Sequence, residues 1–444
     1  MKTGDWPPMK THRTVLRACL SILVVTFLLP GLSLGWGNTW MGLNLEQAYS
    51  ALRWRTGLLR GSGVFNLNNA GYSSDIYYGS TSEPVPDGTV AAGLNLRAML
   101  PLEKKIVFDV SASPQYLFYL HTEAERAWNG IFGGNVHFVG DRLYFLASGE
   151  YRNTRERVAA ELDVNVRREQ IGLIGLTLWQ VSKDVSFALQ ARRSSFDYND
   201  SGGIGIRENL NRVEMFVNLR AYLQQVPRTR FSLDAEYGTY AFTADPTALR
   251  DSRSYSLYGG IEFIPRTEAG AEVRGISGTI LLGYGRIDIR DPAQRDYGGL
   301  AGSSRLSVNL IRHLSVRGFY SRSAQFSVFS GIAFYLQTSY GAGLTRFLSR
   351  RLDLSYDVSF NSSDYSVSGA ESDPPPEASN LYTAHSFRIG IQLKRNLSVT
   401  LLANLSTRSS SALIPAGGRN FFGFSLSYGS SPGTTAFISD PIAR

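Results

Sequence analysis

The sequence predicts an all-β protein, a transmembrane antiparallel up-and-down β-barrel of about 18 strands, from three observations. Segments of about ten residues alternate between apolar and polar side chains, short charged connections alternate with long polar ones, and a secretion-type segment opens the chain. The 444 residues suffice for several ordinary domains or for one large barrel. The 44 glycines, 24 phenylalanines and 23 tyrosines suit strands, tight turns and aromatic girdles.

The alternation is clearest in FLSRRLDLSYDVSFNSSDY, which runs from Phe347 to Tyr365. Every second residue from Leu352 to Phe360 is apolar or aromatic, and the residues between them are Asp or Ser. Successive side chains of a strand point to opposite faces, so this strand has one oily face and one polar face. The same pattern recurs in residues 213–221, 231–237, 255–263, 397–405 and 422–428. A membrane barrel turns the oily face to lipid and lines a lumen with the polar face.

The connections between these segments are of two kinds, which alternate along the chain. The short ones are VGDR, VSKD, QVPR, IRH, LSRR and KRN, and the long ones occupy residues 241–254, 290–299 and 366–380. Short periplasmic turns and long extracellular loops give outer-membrane barrels this asymmetry. The alternation predicts about 18 strands, the first near residues 61–69 and the last at 419–428, although uncertain segmentation near residues 155–169 also allows 16. A large soluble all-β protein of the periplasm or cell surface is the alternative fold.

Residues 1–35 are predicted to be a secretory signal peptide, because basic residues precede an apolar run from Ala18 to Leu29 that is too short to span a membrane. The single cysteine, Cys19, lies inside it, so the mature chain would have no disulfide. Residues 36–57 form a predicted periplasmic segment with a short helix, 58–428 the barrel and 429–444 a C-terminal tail. Basic and acidic residues are interleaved, which argues against a nucleic-acid partner.

The sequence predicts no enzyme activity and no catalytic residue. Its four histidines beyond the signal segment lack metal-ligand spacing, and no Gly-x-Ser-x-Gly motif is present. One segment, DYNDSGGIGIRE, places oxygen-bearing side chains at calcium-loop positions, namely Asp197, Asn199, Ser201 and Glu208. Its flanks have the pattern of strands, whereas that motif bridges two helices, so a solvated extracellular loop is the alternative to a Ca²⁺ site. No other cofactor is expected.

The polar faces of the predicted strands are the candidate lumen lining. Their mixed charges indicate neither a cationic nor an anionic ring, and pairing that braces the wall is the alternative to a role in transport. Their tyrosines suit a hydrated sugar polymer. The lumen candidates are Arg97, Asp109, Glu150, Arg192, Glu214, Arg220, Tyr222, Asp234, Glu236, Tyr240, Tyr258, Glu262, Arg317, Asp353, Asp357 and Arg388.

From Leu173 to Tyr428 the chain resembles a β-barrel porin family linked to exopolysaccharide export, whose members include barrels encoded with exosortase-type polysaccharide systems. The resemblance lies in RFSLDAEYGTYAF, in LLGYGRIDIRDPAQRDYGGLAGSSRLSVNL and above all in YGAGLTRFLSRRLDLSYDVSFNSSDYS. It implies an outer-membrane barrel that passes a secreted polysaccharide delivered by periplasmic export proteins.

Three functions therefore stay open for a barrel in the outer membrane of a Gram-negative cell. The first is a channel for a secreted exopolysaccharide, the second is a general diffusion porin for small solutes, and the third is a structural barrel around a periplasmic partner. Aromatic steps along one lumen face would favour the first, and a constricting inward loop would favour the second. A lumen too wide for its own loops to plug would favour the third.

Overall fold

The computed structural model describes residues 45–77, 84–102, 105–157, 161, 164–199, 206–245, 247–264, 275–311, 313–329, 332–365, 379–409 and 416–429. The predicted signal peptide and residues 430–444 of the predicted tail lie outside the described residues. Among the residues described, no helix is both long and apolar enough to cross a membrane.

The chain forms a closed antiparallel barrel of 18 strands, which confirms the predicted fold class and strand number. A helix, α1 (Leu45–Ala51), and a short strand, β1 (Trp54–Thr56), precede the barrel. A one-turn 3₁₀ helix (Glu123–Glu125) and a second helix, α2 (Ile206–Leu210), lie between strands. The barrel strands are β2 (Leu59–Ser73), β3 (Asp87–Leu102), β4 (Ile106–Tyr119), β5 (Ala127–Val139), β6 (Leu143–Glu156), β7 (Val166–Gln180), β8 (Val185–Asn199), β9 (Arg212–Val226), β10 (Thr229–Phe242), β11 (Ser252–Phe263), β12 (Gly275–Ile289), β13 (Tyr297–Ile311), β14 (Leu314–Phe326), β15 (Phe334–Ser349), β16 (Leu352–Asp364), β17 (Ser379–Lys394), β18 (Leu397–Arg408) and β19 (Gly417–Gly429).

Each strand pairs with its neighbours in the chain, and the last strand closes the ring on the first. In this closure β19 pairs with β2 from Phe421 opposite Ser73 to Gly429 opposite Val64. Closure leaves no sheet edge in the body of the wall, where backbone amides and carbonyls are paired without water. A hydrocarbon environment requires this of a spanning β-structure.

The two ends of the barrel differ in the length of their connections, as the sequence predicts. One end, called the turn end, carries tight turns such as residues 140–142 and 350–351, and α1 also lies there. The opposite loop end carries longer connections, among them residues 243–251 and 290–296, and residues 366–378 of the third predicted loop lie outside the described residues. These are shorter than the predicted loops, because the ladder hydrogen bonds of the strands continue a few residues further. Residues 264–274 make an exception at the turn end by joining β11 to β12 with a long connection.

The two faces of each strand meet different surroundings. Outward side chains such as Leu219, Leu233 and Leu282 are more than half exposed, at 53%, 57% and 60%. Between the outward positions, Asn218 and Asp234 point inward and are at most 9% exposed. An apolar exterior around a polar interior matches a barrel in lipid.

We predict that Leu219→Arg destabilises the barrel by about 2–4 kcal/mol, because it places a charge on the lipid face near the bilayer midplane. Leu219 is the eighth residue of the 15-residue strand β9 and faces outward. The control, Ser303→Arg, adds the same charge on the inward face of β13, where water solvates it. Denaturant unfolding from lipid vesicles measures both variants, and equal destabilisation would contradict the assignment of faces.

Candidate functional site

Ion pairs between neighbouring strands connect the inward face of the wall. The Arg97 guanidinium donates two hydrogen bonds to the Asp109 carboxylate, of 2.9 and 2.7 Å, from β3 to β4. Arg220 on β9 donates from Nε to Asp234 on β10 at 2.6 Å, and Asn218 donates to the same carboxylate. These pairs join adjacent strands and do not reach across the lumen, so they brace the wall.

One pair spans two strand intervals and depends on a glycine between its members. The Arg317 guanidinium on β14 donates to both carboxylate oxygens of Asp357 on β16, at 2.7 Å each. The strand between them carries Gly343, where a Cβ atom would lie 2.0 Å from Asp357 Oδ1 and 2.6 Å from Arg317 Nε. Arg388 on β17 adds a more distant contact to Asp357, at 3.9 Å. A side chain at position 343 would therefore break the pair.

Most of the other predicted lumen residues are also paired or packed on the inward face. Glu150 pairs with Arg152 at 3.1 Å, Glu214 with Arg212 at 2.8 Å, and Glu262 with Arg230 at 2.8 Å. Arg152, Arg212 and Arg230 are absent from the sequence-based set, although each occupies an inward position of an alternating strand. Three further predicted residues, Glu236, Tyr258 and Asp353, lie on inward faces without an ion pair to another described residue.

Aromatic rings and arginines alternate along the inward face of β8–β10, a feature that the sequence analysis found only in part. The Arg192 guanidinium lies 4.3 Å from the centre of the Phe216 ring, and Phe216 meets Tyr240 edge to face at 5.4 Å. Near the turn end, Arg230 lies over the Tyr222 ring at 5.1 Å. Phe216 was missed because a lone phenylalanine on a polar face resembles an irregularity. Its inward position in β9 was the available signal.

Helix α1 occupies part of the turn-end mouth. Leu45 packs on inward side chains of Tyr144, Leu178 and Ala188, and also joins Leu52 in a cluster with Met99 and Val107. The Arg60 guanidinium lies 4.5 Å from the centre of the Tyr49 ring, and the Tyr49 hydroxyl donates to the carbonyl of Leu58 at 2.6 Å. The helix therefore lies against the interior of β3–β8, where its apolar face is buried.

At the loop end, the β14–β15 hairpin leaves the wall and leans into the lumen. β14 and β15 stay paired with each other as far as Phe326 opposite Phe334. The pairing of β14 with β13 ends earlier, at Arg322. We call residues 323–329 and 332–335 the hairpin tip. Phe326 in the tip meets Tyr240 at 4.7 Å and Phe242 at 5.0 Å, both on β10. Because β10 lies four strands around the ring from β14, these contacts place the tip over the lumen.

The hairpin tip reaches the far side of the mouth. Val328 is buried in a cluster with Val166 on β7, Tyr198 on β8, and Ile206 and Leu210 of α2. The β6–β7 connection lies eight strands around the ring from the hairpin, counted from β6 to β14, which is almost opposite in a ring of 18. The loop-end mouth is therefore narrowed by chain that crosses it.

Arg250, in the β10–β11 loop, holds the hairpin tip by its backbone. Its guanidinium donates to the carbonyl oxygens of Ser327 and Ala333, at 2.7 and 3.2 Å, and to the Asn209 side chain at 2.6 Å. Burial lowers the pKa of Arg250 to about 10, so it stays charged at neutral pH. The Arg250 guanidinium therefore links the β10–β11 loop to the hairpin tip and to α2.

Glu161, in the β6–β7 loop, anchors the same tip from the opposite side. Its carboxylate accepts hydrogen bonds from the Ser327 hydroxyl at 2.7 Å and from the Val328 amide at 2.8 Å. Glu161 is 7% exposed, and burial raises its pKa to about 7, although these hydrogen bonds oppose the rise. The fully buried Tyr365 side chain lies beside this carboxylate. Sequence patterns gave no signal for Glu161 or Arg250, because both lie in loops without periodicity.

The calcium-loop candidate falls partly outside the described residues, which omit Ser201. Asp197 and Asn199 end β8, and Glu208 lies in α2. The Asp197 carboxylate accepts a hydrogen bond from the Asn211 side chain at 2.7 Å. Over the described part of the chain, no cluster of three or more His, Cys, Asp or Glu residues could hold a metal ion. Calcium binding therefore stays a prediction.

A closed 18-strand barrel with an apolar exterior, a polar lumen and a narrowed mouth belongs to the class of outer-membrane β-barrel proteins. Residues 122–420 match the family model described as "Putative beta-barrel porin 2", and the chain belongs to that family. The match begins well before Leu173, so the family relationship extends further toward the N-terminus than the sequence motifs indicated. The protein lies in the outer membrane of a Gram-negative cell.

Several solved outer-membrane proteins are similar to this chain at low sequence identity. The outer membrane protein opdK from Pseudomonas aeruginosa is 11% identical, with a TM-score of 0.47 over 83% of this chain and 98% of that one. OccAB4 from Acinetobacter baumannii is 13% identical, with a TM-score of 0.45 over 83% and 97%. The siderophore receptor PirA from Pseudomonas aeruginosa is 12% identical, with a TM-score of 0.42 over 85% and 81%. A comparison with curated proteins gives no match.

We predict that Arg250→Ala frees the hairpin tip, because buried carbonyl oxygens lose a charged donor, at a cost of about 3 kcal/mol. A change of this size raises the open population roughly 100-fold, and cleavage of an opened segment follows that population. Mass spectrometry of protease digests in liposomes should find faster cleavage within residues 327–333. Arg253→Ala removes an exposed arginine on the outward face of β11 and is the control. Equal cleavage of both variants would refute the anchoring role.

We predict that the hairpin tip is held more weakly at pH 8 than at pH 5. Glu161 has a pKa of about 7 in the packed loop against an ordinary value of 4.5, so the packed state favours the neutral acid. The stability present below pH 4.5 is therefore lost as the pH rises to about 7, by about 3 kcal/mol in all. Single-channel recording should give a higher open probability at pH 8. Glu161→Gln should flatten this dependence, and an unchanged pH response in that variant would exclude Glu161 as its source.

Proposed function

We propose that the protein is an outer-membrane diffusion channel for small hydrophilic solutes, narrowed at its extracellular mouth by the hairpin tip. The observation that carries this proposal is that the hairpin tip crosses the loop-end mouth and is held there by Arg250 and Glu161. A constriction of this kind limits the size of a passing solute, whereas a polymer in transit requires a continuous wide path. An 18-strand barrel without such a hairpin has an aqueous lumen.

The loop end is assigned to the cell exterior, because outer-membrane barrels turn their long loops outward. Solutes entering from outside would meet the hairpin tip first and α1 last. Between the hairpin tip and α1, ion pairs of neighbouring strands keep the wall rigid. Arg192 and Arg305 stay in contact with water there. The geometry therefore suits selection at the mouth followed by passage along a charged wall.

Export of an exopolysaccharide is the second candidate, favoured by the rings of Tyr222 and Tyr240 on one inward face. Aromatic faces bind sugar rings in succession, and the family resemblance stated from the sequence points the same way. In this case the hairpin tip would have to move away from Phe242 and Val166 for a polymer to pass. The two candidates therefore differ in what they require of the hairpin.

The deciding experiment is recording in planar bilayers, paired with swelling of liposomes in sugars of increasing size. A diffusion channel should conduct in the wild type and admit small sugars with a size limit, which Arg250→Ala relaxes. A polysaccharide exporter should instead be blocked by fragments of the producing organism's exopolysaccharide according to their length. Tyr222→Ala and Tyr240→Ala should then weaken the block, and Tyr255→Ala, on the outward face, should not. Failure of both the wild type and Arg250→Ala to conduct would overturn both candidates.

A further inference from the structure

We infer that the lumen selects for anions, and that Arg192 and Arg305 are the residues that set this preference. This inference rests on the proposed channel function and names the class of solute that it would take, small hydrophilic anions. It follows from which charges of the inward wall are neutralised by a neighbour and which are left facing water.

Three carboxylates of the wall are neutralised by a neighbour, whereas Glu236 has no ion pair to a described residue. Asp109 is held by Arg97, Asp234 by Arg220 and Asn218, and Asp357 by Arg317. Each of these pairs has a charge near zero, and its carboxylate is also less exposed than the arginine that holds it. A passing cation therefore finds few accessible negative charges.

Two arginines differ from this pattern. Arg192 and Arg305 are exposed within the inward face, and neither forms an ion pair with another described residue. Arg192 is the eighth of the 15 residues of β8, and Arg305 is the ninth of the 15 residues of β13. Both therefore stand near the middle of the membrane, where fixed charges act on ions in a confined space.

The surroundings of each arginine keep its charge available. Arg192 is supported from one side by the Phe216 ring, at 4.3 Å, which fixes the guanidinium without neutralising it. Glu236 lies within electrostatic range of Arg192, and it is half-buried whereas Arg192 is exposed. Arg305 faces Thr279 and Phe319 across the ladder, and both are uncharged.

The wall around Arg305 is also lined by small residues. On its loop-end side, beyond the inward pair of Leu281 and Ser303, four inward positions of β12 and β13 are occupied by Gly283, Gly285, Gly299 and Ala301. Since these side chains project little into the lumen, the long arginine side chain is the prominent group there. Small anions such as phosphate or carboxylates are well matched to guanidinium groups, which offer them paired donors.

The test is the reversal potential in a potassium chloride gradient across a planar bilayer. The wild type should prefer chloride to potassium, and Arg192→Gln or Arg305→Gln should each reduce the permeability ratio roughly two- to five-fold, as one unit charge about 8 Å from an ion in water predicts. The double variant should approach no preference. Arg286→Gln is the matched control, because Arg286 is an exposed arginine on the outward face of β12, paired with Asp288.

The outcomes separate this inference from the channel proposal. Steady conductance with a permeability ratio that neither lumen variant changes would overturn the role of Arg192 and Arg305 while leaving the channel. An equal change in Arg286→Gln would refute a lumen-specific effect. Absence of conductance in the wild type and in Arg250→Ala would overturn the channel proposal and this inference together. Heat-modifiable migration in gels verifies that each variant is folded before recording.

Discussion

Closure of the sheet between β19 and β2 is the constraint on which the rest of the structure depends. In hydrocarbon an unpaired backbone amide or carbonyl costs several kcal/mol, so a β-structure spans a membrane only when its two edges pair. Here they pair from Ser73 opposite Phe421 to Val64 opposite Gly429, although the two strands are separated by nearly the whole chain. Once the ring is closed, every side chain must face either lipid or lumen.

The lumen wall reconciles two opposing requirements. Water in the channel demands polar groups, but charges in a confined space are costly unless a partner lies close by. The wall meets both with pairs between neighbouring strands, such as Arg97 with Asp109 and Arg220 with Asp234. The pair of Arg317 and Asp357 adds a packing condition, because Gly343 must leave room for it. Pairing within the wall leaves the centre of the lumen open, which pairing across it would not.

The loop end is organised differently from the wall. There the hairpin tip has no ladder partner on the β13 side, and its backbone carbonyls are satisfied by the Arg250 side chain. Glu161 satisfies a backbone amide on the same segment, and the buried side chain of Val328 supplies apolar contact. Such an arrangement depends on a few side chains and is therefore easier to release than a strand of the wall.

The sequence by itself determined the fold class, the strand number and the assignment of faces. These follow from a period of two and from the alternation of connection lengths, which are local properties repeated many times along the chain. Local patterns also placed most lumen charges, from Arg97 to Arg388, on the polar faces of their strands. They left out Arg230 and Phe216, whose inward positions became clear only with the register.

Tertiary structure decided which charges neutralise one another and what crosses the mouth. Ion pairing depends on strand register, and a shift of one residue would exchange the two faces, so pattern alone does not fix the partner of Asp234 or Asp357. The hairpin tip is held by Arg250 and Glu161, which lie far from it in sequence and come from loops without periodicity. Contacts of that kind form only after the ring has closed and brought opposite loops over one lumen.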